Sequence, residues 1–381
     1  MRAGAVAKVI ATIAVCVCSS LPEPAVADSW KIETVELLPR GPFSVLSLGL
    51  DDHGDPHLTY GRLGTLIHAF KNADSWTTEV VDSIASSGGT ATPRSTWRFS
   101  IPSVSIAAGS DRVHMAYIWS AALKHAVRAD GGWIIQSIDE RASSSTRSLS
   151  LALDAEGNPH ISYCGYPSHA GYTCSLKYAF ASSGIWQVEL VDTTTTGSGR
   201  TGAPTSALAI KDGIPHIVIM KNYGFLYSLR YVSKQPDWFI ETITEDGGEN
   251  VSLALDSKRR PHVAWAVDNA IRHAWRVGPG DWLVEEFGES AEPTWSLVAI
   301  AIDAQDGVHI VHCYEDGVRY LRRRKSADWQ VETIDPDAHG GFPFTRIALA
   351  LEERGQPHVA YVGTDESLPG NRFLRYAHRG P

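Results

Sequence analysis

Short runs in which apolar and other residues alternate with period two recur along the chain, separated by clusters of Gly, Pro, Asp and Ser. Such runs predict half-buried strands joined by tight turns. They come in a fixed order: S-L-A-L-D-x-x-G-x-P-H-(I/V)-x-Y, a variable gap, L-(R/K)-(Y/H)-A, then W-x-x-E-x-(V/I)-D. The histidine of this unit falls at His57, His114, His160, His216, His262, His309 and His358, and the tryptophan at Trp30, Trp76, Trp133, Trp186, Trp238, Trp282 and Trp329. Each unit holds four strands, a to d, and a four-stranded meander every 40 to 50 residues or so describes a propeller blade. The fold class predicted is all-β, a seven-bladed β-propeller of antiparallel blades.

The phase of the array sharpens this. The last unit, Arg346 to His378, stops after Leu374-Arg375-Tyr376-Ala377 without a tryptophan strand, whereas Ser29-Trp30-Lys31-Ile32-Glu33-Thr34-Val35 matches that strand and has no strands a to c before it. The N-terminal strand should therefore complete blade seven, pairing two edges that would otherwise stay open. Strand parity also predicts charge pairs between strands c and d of one blade: Lys177 with Glu189, Arg230 with Glu241, Arg272 with Glu285, Arg319 with Glu332 and Arg375 with Glu33. Blade one departs from this rule with Ile67 opposite Glu79, and blade two with Lys124 opposite Gln136.

Met1 to Ala27 combines a basic start, an apolar stretch and the small-x-small triplet Ala25-Val26-Ala27, and reads as a secretory signal peptide. A lipoprotein reading is weaker, because Cys16 and Cys18 each follow a Val. Residues 28–381 then form one propeller domain, leaving no room for a second. No later stretch reaches the roughly 18 apolar residues of a membrane span, so an exported, soluble monomer in the periplasm or medium is expected. Cys164 and Cys174 flank a short loop and in that setting are expected to be disulfide-bonded, leaving Cys313 buried and unpaired. The net charge of −9 argues against a nucleic-acid groove.

Seven equivalent histidines invite a metal reading, but a ring spreads them apart where a metal site must gather them. They are expected to be hydrogen-bonded within their blades, and no metal or other cofactor is expected. The D-x-x-G-x-P stretches lack the ligand pattern of a calcium loop and read as tight a–b turns. Function should instead break the symmetry, on the face of the variable b–c loops and blade-to-blade crossings. The candidate ligand-binding residues there are Trp97, Arg98, Trp119, Tyr166, His169, Tyr172, Tyr223, Trp295 and Phe342, aromatics with an arginine that suit sugars or anionic groups. No catalytic residue can be named from the sequence.

Over residues 28–381 the repeats resemble those of bacterial propellers in the broad BNR or sialidase-like group, although its Asp-boxes of the form S-x-D-x-G-x-x-W are absent. That group includes glycan-binding lectins, glycosidases and polysaccharide lyases. The resemblance implies a ligand-binding propeller for carbohydrate or another extracellular polymer, and not an enzyme in the first instance. One alternative is a lyase or glycosidase, with His169 or Tyr172 as base beside Arg98. A second is a scaffold for protein partners.

Overall fold

The structure, a computed structural model, describes residues 13–14, 29–38, 45–62, 64–72, 75–83, 103–109, 112–142, 149–165, 175–192, 205–222, 227–267, 270–288, 297–314, 317–324, 327–336, 338, 347–364 and 372–379. They form seven sheets, each built on an antiparallel four-stranded meander. Blade one comprises Leu46–Leu50, Pro56–Arg62, Thr65–Asn72 and Ser75–Ser83. Blade two comprises Ser103–Ala108, Val113–Trp119, Ala122–Ala129 and Gly132–Asp139, and blade three Leu149–Leu153, Pro159–Gly165, Ser175–Ser182 and Ile185–Asp192. Blades four, five and six repeat the meander from Ser206–Lys211 through Gln330–Asp335. Among the described residues no helix is long and apolar enough to cross a membrane.

Blade seven is completed as its missing strand requires. Ile347–Leu351, Pro357–Thr364 and Arg372–Arg379 are followed in the sheet by Trp30–Leu38 from the other end of the chain. Trp30 stands opposite Arg379, as Trp76 stands opposite Lys71 and Trp238 opposite Lys234, so the closing strand occupies the register of an ordinary strand d. Residues 13–14, within the expected leader, add a short parallel pairing to the outer edge of blade five, Ile13 opposite Glu285.

The apolar face of each strand is buried between blades. Seven core clusters form, one at each junction: Leu48, Leu58, Tyr60 and Leu374 join blades seven and one, for example, and Ala116, Leu123, Leu151 and Tyr163 join blades two and three. The small residues of strand a let the inner strands approach closely. There Ser47, Ser105, Ser150 and Ser252 each accept a backbone N–H from strand a of the next blade, at Ile106, Leu151, Leu208 and Ile300. Inner edge groups that lack a strand partner are satisfied in this way.

The a–b turns confirm the turn reading of D-x-x-G. Oδ1 of Asp154 accepts the N–H groups of Glu156 and Asn158 at 3.0 and 2.7 Å, and Asp303 treats Gln305 and Gly307 in the same way. At the glycine of the motif φ is positive, +84° at Gly54 and +79° at Gly157, a conformation that costs glycine little.

Candidate functional site

The face carrying the a–b and c–d turns is built from one repeated unit. On each blade the strand-b histidine is buried and its Nδ1 meets a ring on strand c. The partner is a tyrosine hydroxyl at Tyr178, Tyr231, Tyr320 and Tyr376, or a second histidine in the pairs His57–His68, His114–His125 and His262–His273, at 2.9, 3.0 and 3.1 Å. An acidic residue of the a–b turn faces Nε2 of the first histidine at His160, His309 and His358. In two of the three histidine pairs the inner ring is held from strand d, His68 by Glu79 at 2.8 Å and His273 by Glu285 at 2.7 Å. Each of these histidines is thus held within its own blade, as the ring geometry implies. Among the described residues no group of three or more His, Cys, Asp or Glu could hold a metal.

A second unit crosses between blades. Trp Nε1 on strand d donates to the strand-d acid of the preceding blade: Trp76 to Glu33, Trp133 to Glu79, Trp238 to Glu189, Trp282 to Glu241, Trp329 to Glu285 and Trp30 to Glu332. The same acids receive a cation from the end of strand c, namely Lys71, Arg128, Lys234, Arg276, Arg323 and Arg379. The c–d charge pairs expected from parity are therefore not the pairs formed. Glu189 lies opposite Tyr178, and Lys177 lies opposite Leu190.

The reason is a bulge, a register shift between Leu176 and Lys177 in blade three that recurs in five other blades, including the closed one. It lets two acids three residues apart on strand d both face the following blade. The second acid makes another ring of contacts near the b–c loops. Asp82 takes Tyr117 and Lys124, Asp139 takes Tyr163 and Lys177, and Asp335 takes Tyr361 and Arg375. Arg272 meets Glu286 instead of Glu285, in the one blade whose strand d lacks this bulge.

At the junction of blades two and three the inter-blade latch is missing. Gln136 stands where the other six junctions carry a glutamate, and Ala181 where they carry the cation. Trp186 still donates to Gln136, at 3.1 Å, but no charge fills the space. The a–b turn of blade two is also tighter, closed by Gly109 N–H to Arg112 at 3.0 Å, and Gly109 takes the place of the turn acid. The result is a cleft of about 540 Å³, within the range of small-molecule sites, lined by Arg112, His114, His125, Gln136, Asn158 and Trp186, with Glu156 at its rim.

The electrostatics of this cleft follow from what it lacks. His114 and His125 are 8% and 5% exposed, and among the described residues their only hydrogen bond is to each other. Burial pushes His125 down to about 3, with the His114 ring adding to the effect. Burial and Arg112 push His114 down to about 4. Both rings are thus neutral at ordinary pH, and each has a second ring nitrogen with no protein partner. Trp186 packs edge-on against His125, ring centroids 5.0 Å apart, and is only half-buried. Arg112 and Glu156, from adjacent blades, are exposed, and neither forms an ion pair among the described residues.

The latch can be tested by stability. Removing Glu189 (Glu189→Ala) leaves Trp238 Nε1 and Lys234 without their acceptor, and a cost of about 1–3 kcal/mol is expected in urea unfolding. Gln136→Ala removes one exposed bond and is expected to cost under about 1 kcal/mol. Equal costs would show that the two junctions are not mechanically different.

Of the residues singled out from the sequence, Trp119 is placed at the end of strand b in blade two, 7% exposed and packed with Val45, Leu66 and Tyr117, with Lys124 Nζ 5.8 Å from its ring centre. That burial leaves little of its ring for a ligand. Trp97, Arg98, Tyr166, His169, Tyr172, Tyr223, Trp295 and Phe342 lie outside the described residues, as does Cys174; Cys164 is buried at the end of strand b in blade three. The cleft lies at the a–b and c–d turns, at the opposite end of strand b from Trp119. Its signal in the sequence is the loss of the repeat residues at Gln136, Ala181 and Gly109.

No protein-family model matches the chain, and no curated protein matches it. Solved structures do. A catalytically inactive H270A virginiamycin B lyase from Staphylococcus aureus with quinupristin superposes with a TM-score of 0.53 at 11% identity, covering 92% of this chain and 99% of that one. The polysaccharide lyase Uly1 gives 0.52 at 9% identity, covering 86% and 88%. A protein of unknown function from Dyadobacter fermentans gives 0.50 at 12% identity, covering 91% and 98%. The likeness is one of fold. It places the chain among seven-bladed propellers and assigns no chemistry to the cleft.

Proposed function

We propose that the protein is an exported carbohydrate-binding propeller and that the cleft between blades two and three holds a sugar. The observation that supports this most directly is the loss of the latch at one junction of seven, where a half-buried tryptophan, two amide side chains, an arginine, a glutamate and two neutral histidines surround a cavity of sugar-binding size. Pyranose rings offer an apolar C–H face for an aromatic ring and hydroxyls that both donate and accept, and this set of side chains complements both. The resemblance of the repeats to BNR or sialidase-like propellers supports the same reading. The variable-face residues Trp97, Arg98, Tyr166, His169, Tyr172, Tyr223, Trp295 and Phe342 belong to the proposal as a second contact surface on a polymer, shaped in part by a Cys164–Cys174 bridge. The protein acts as a monomer in this reading.

The test is a panel of neutral and anionic polysaccharides offered to the purified protein, scoring retention, new reducing ends and unsaturated products together. Retention without products, weakened at least tenfold by Trp186→Ala, is expected. Products would replace this reading with a polysaccharide lyase or glycosidase. Retention lost with Tyr172→Ala and untouched by Trp186→Ala would move the site to the variable face, and absence of any retention would leave a protein scaffold.

A further inference from the structure

The side chains around the cleft carry enough chemistry to define the class of sugar, given the reading that the cleft is the sugar site. Its fixed charges cancel, with Arg112 from blade two set against Glu156 from blade three and no third ionised group among the described lining residues. Gln136 and Asn158 each offer amide donors and a carbonyl acceptor, and Asn158 already donates to Asp154 at 2.9 Å.

The histidine pair is more selective. His114 Nδ1 and His125 Nε2 share one hydrogen bond of 3.0 Å. If His125 donates, its Nδ1 is a bare lone pair and His114 Nε2 carries the proton; if His114 donates, the roles are exchanged. In either state the pair presents one donor and one acceptor at its two outer nitrogens. The contrast with blades one and five is instructive, because Glu79 and Glu285 occupy the Nδ1 of the inner histidine there, and only Gln136 stands in that position here.

A hydroxyl, which donates and accepts at once, satisfies the pair in both states. A carboxylate accepts only, so it would face an unsatisfied lone pair in either state and the Glu156 charge as well. We infer that the cleft selects neutral, hydroxyl-rich rings, hexopyranoses without a carboxylate, over the matching uronates. Because both rings stay neutral at ordinary pH, the pair adds no positive charge that would reverse this preference.

Matched pairs isolate the carboxylate: the methyl glycosides of glucose, galactose and mannose against those of glucuronate, galacturonate and mannuronate, by calorimetry at pH 7.5. At least one neutral member is expected to bind tenfold or more tightly than its uronate, and both members are expected to lose affinity with Trp186→Ala. Arg112→Gln and Glu156→Gln should each weaken the neutral ligand a few-fold, whereas Glu156→Gln should narrow the gap to the uronate. A uronate that binds more tightly than its neutral partner, with both lost in Trp186→Ala, would overturn the selectivity and leave the cleft as the sugar site. Binding indifferent to Trp186→Ala, or no binding of any pair at millimolar concentration, would overturn the site and the inference together.

Discussion

Acidification from pH 6.5 to 4.5 is expected to unfold the protein before most of its carboxylates titrate. The cause is the ring of buried histidines. Burial holds His68, His114, His216 and His312 down to about 4, and His125 and His262 to about 3. Each binds a proton more tightly in the unfolded chain, where the ordinary value is near 6.5, than in the folded one. The stability they contribute is therefore complete above about pH 6.5 and is lost as the pH falls towards the folded values. The slope is about 1.4 kcal/mol per pH unit for each such group. Counting only one histidine in each of blades one, two, four, five and six, the loss over two pH units is on the order of 10 kcal/mol, comparable to the whole stability of an ordinary domain. Glu33, Glu79, Glu285 and Asp303, held below the usual carboxylate range by cationic or histidine partners despite burial, add a further loss at still lower pH. Urea midpoints at pH 7.5, 6.5, 5.5 and 4.5 read this directly, with a steep fall below 6.5 expected. A flat profile down to 4.5 would mean that the histidines are not buried in neutral form.

Deleting residues 29–38 should abolish cooperative folding. Strand Trp30–Leu38 pairs with Arg372–Arg379 along its length, packs Leu38 and Val35 into the cluster joining blades seven and one, and carries both sides of a latch. Its Glu33 receives Trp76 and Lys71 of blade one, and its Trp30 reaches Glu332 of blade six. Removal opens the ring, exposes a strand edge, leaves Lys71 and Trp76 without Glu33 and Tyr60 and Arg62 without Glu36, and takes the Trp30 donor from Glu332, which keeps only Arg379. Each such loss costs about 1–3 kcal/mol, and together they approach the stability of the domain. A broad, non-cooperative melt or aggregation is expected in the truncated protein, and a sharp melt like that of the parent would contradict the closure.

The architecture is legible in the sequence because repetition amplifies a weak signal. One run such as Trp238–Thr244 is no more than a plausible strand, but seven copies in fixed order, with the Trp30 copy displaced to the start of the chain, specify blade number and closure. The turn role of Asp154 and the structural role of His160 were readable for the same reason. Charge pairing was not, because parity assumes an unbroken strand, and the bulge that lets Glu189 and Asp192 share a side leaves no mark in the spacing of residues. The cleft was half visible. Gln136 registers in the sequence as a departure from the glutamate of the repeat, but its meaning depends on Ala181, 45 positions on, and on the contact between blades that makes the two neighbours. Trp119, by contrast, looked like a loop aromatic and is largely buried, because strand b of blade two extends through it.

The central claim is that the junction of blades two and three is a binding site made by leaving out a latch. The most direct measurement is sugar binding by the variant in which the latch is put back, Gln136→Glu with Ala181→Lys, alongside its urea midpoint. The restored pair should reproduce Glu189 with Lys234, leave stability unchanged or raise it by up to about 1 kcal/mol, and abolish binding by filling the cleft. A stable, restored protein that binds sugar as tightly as the parent would contradict the claim.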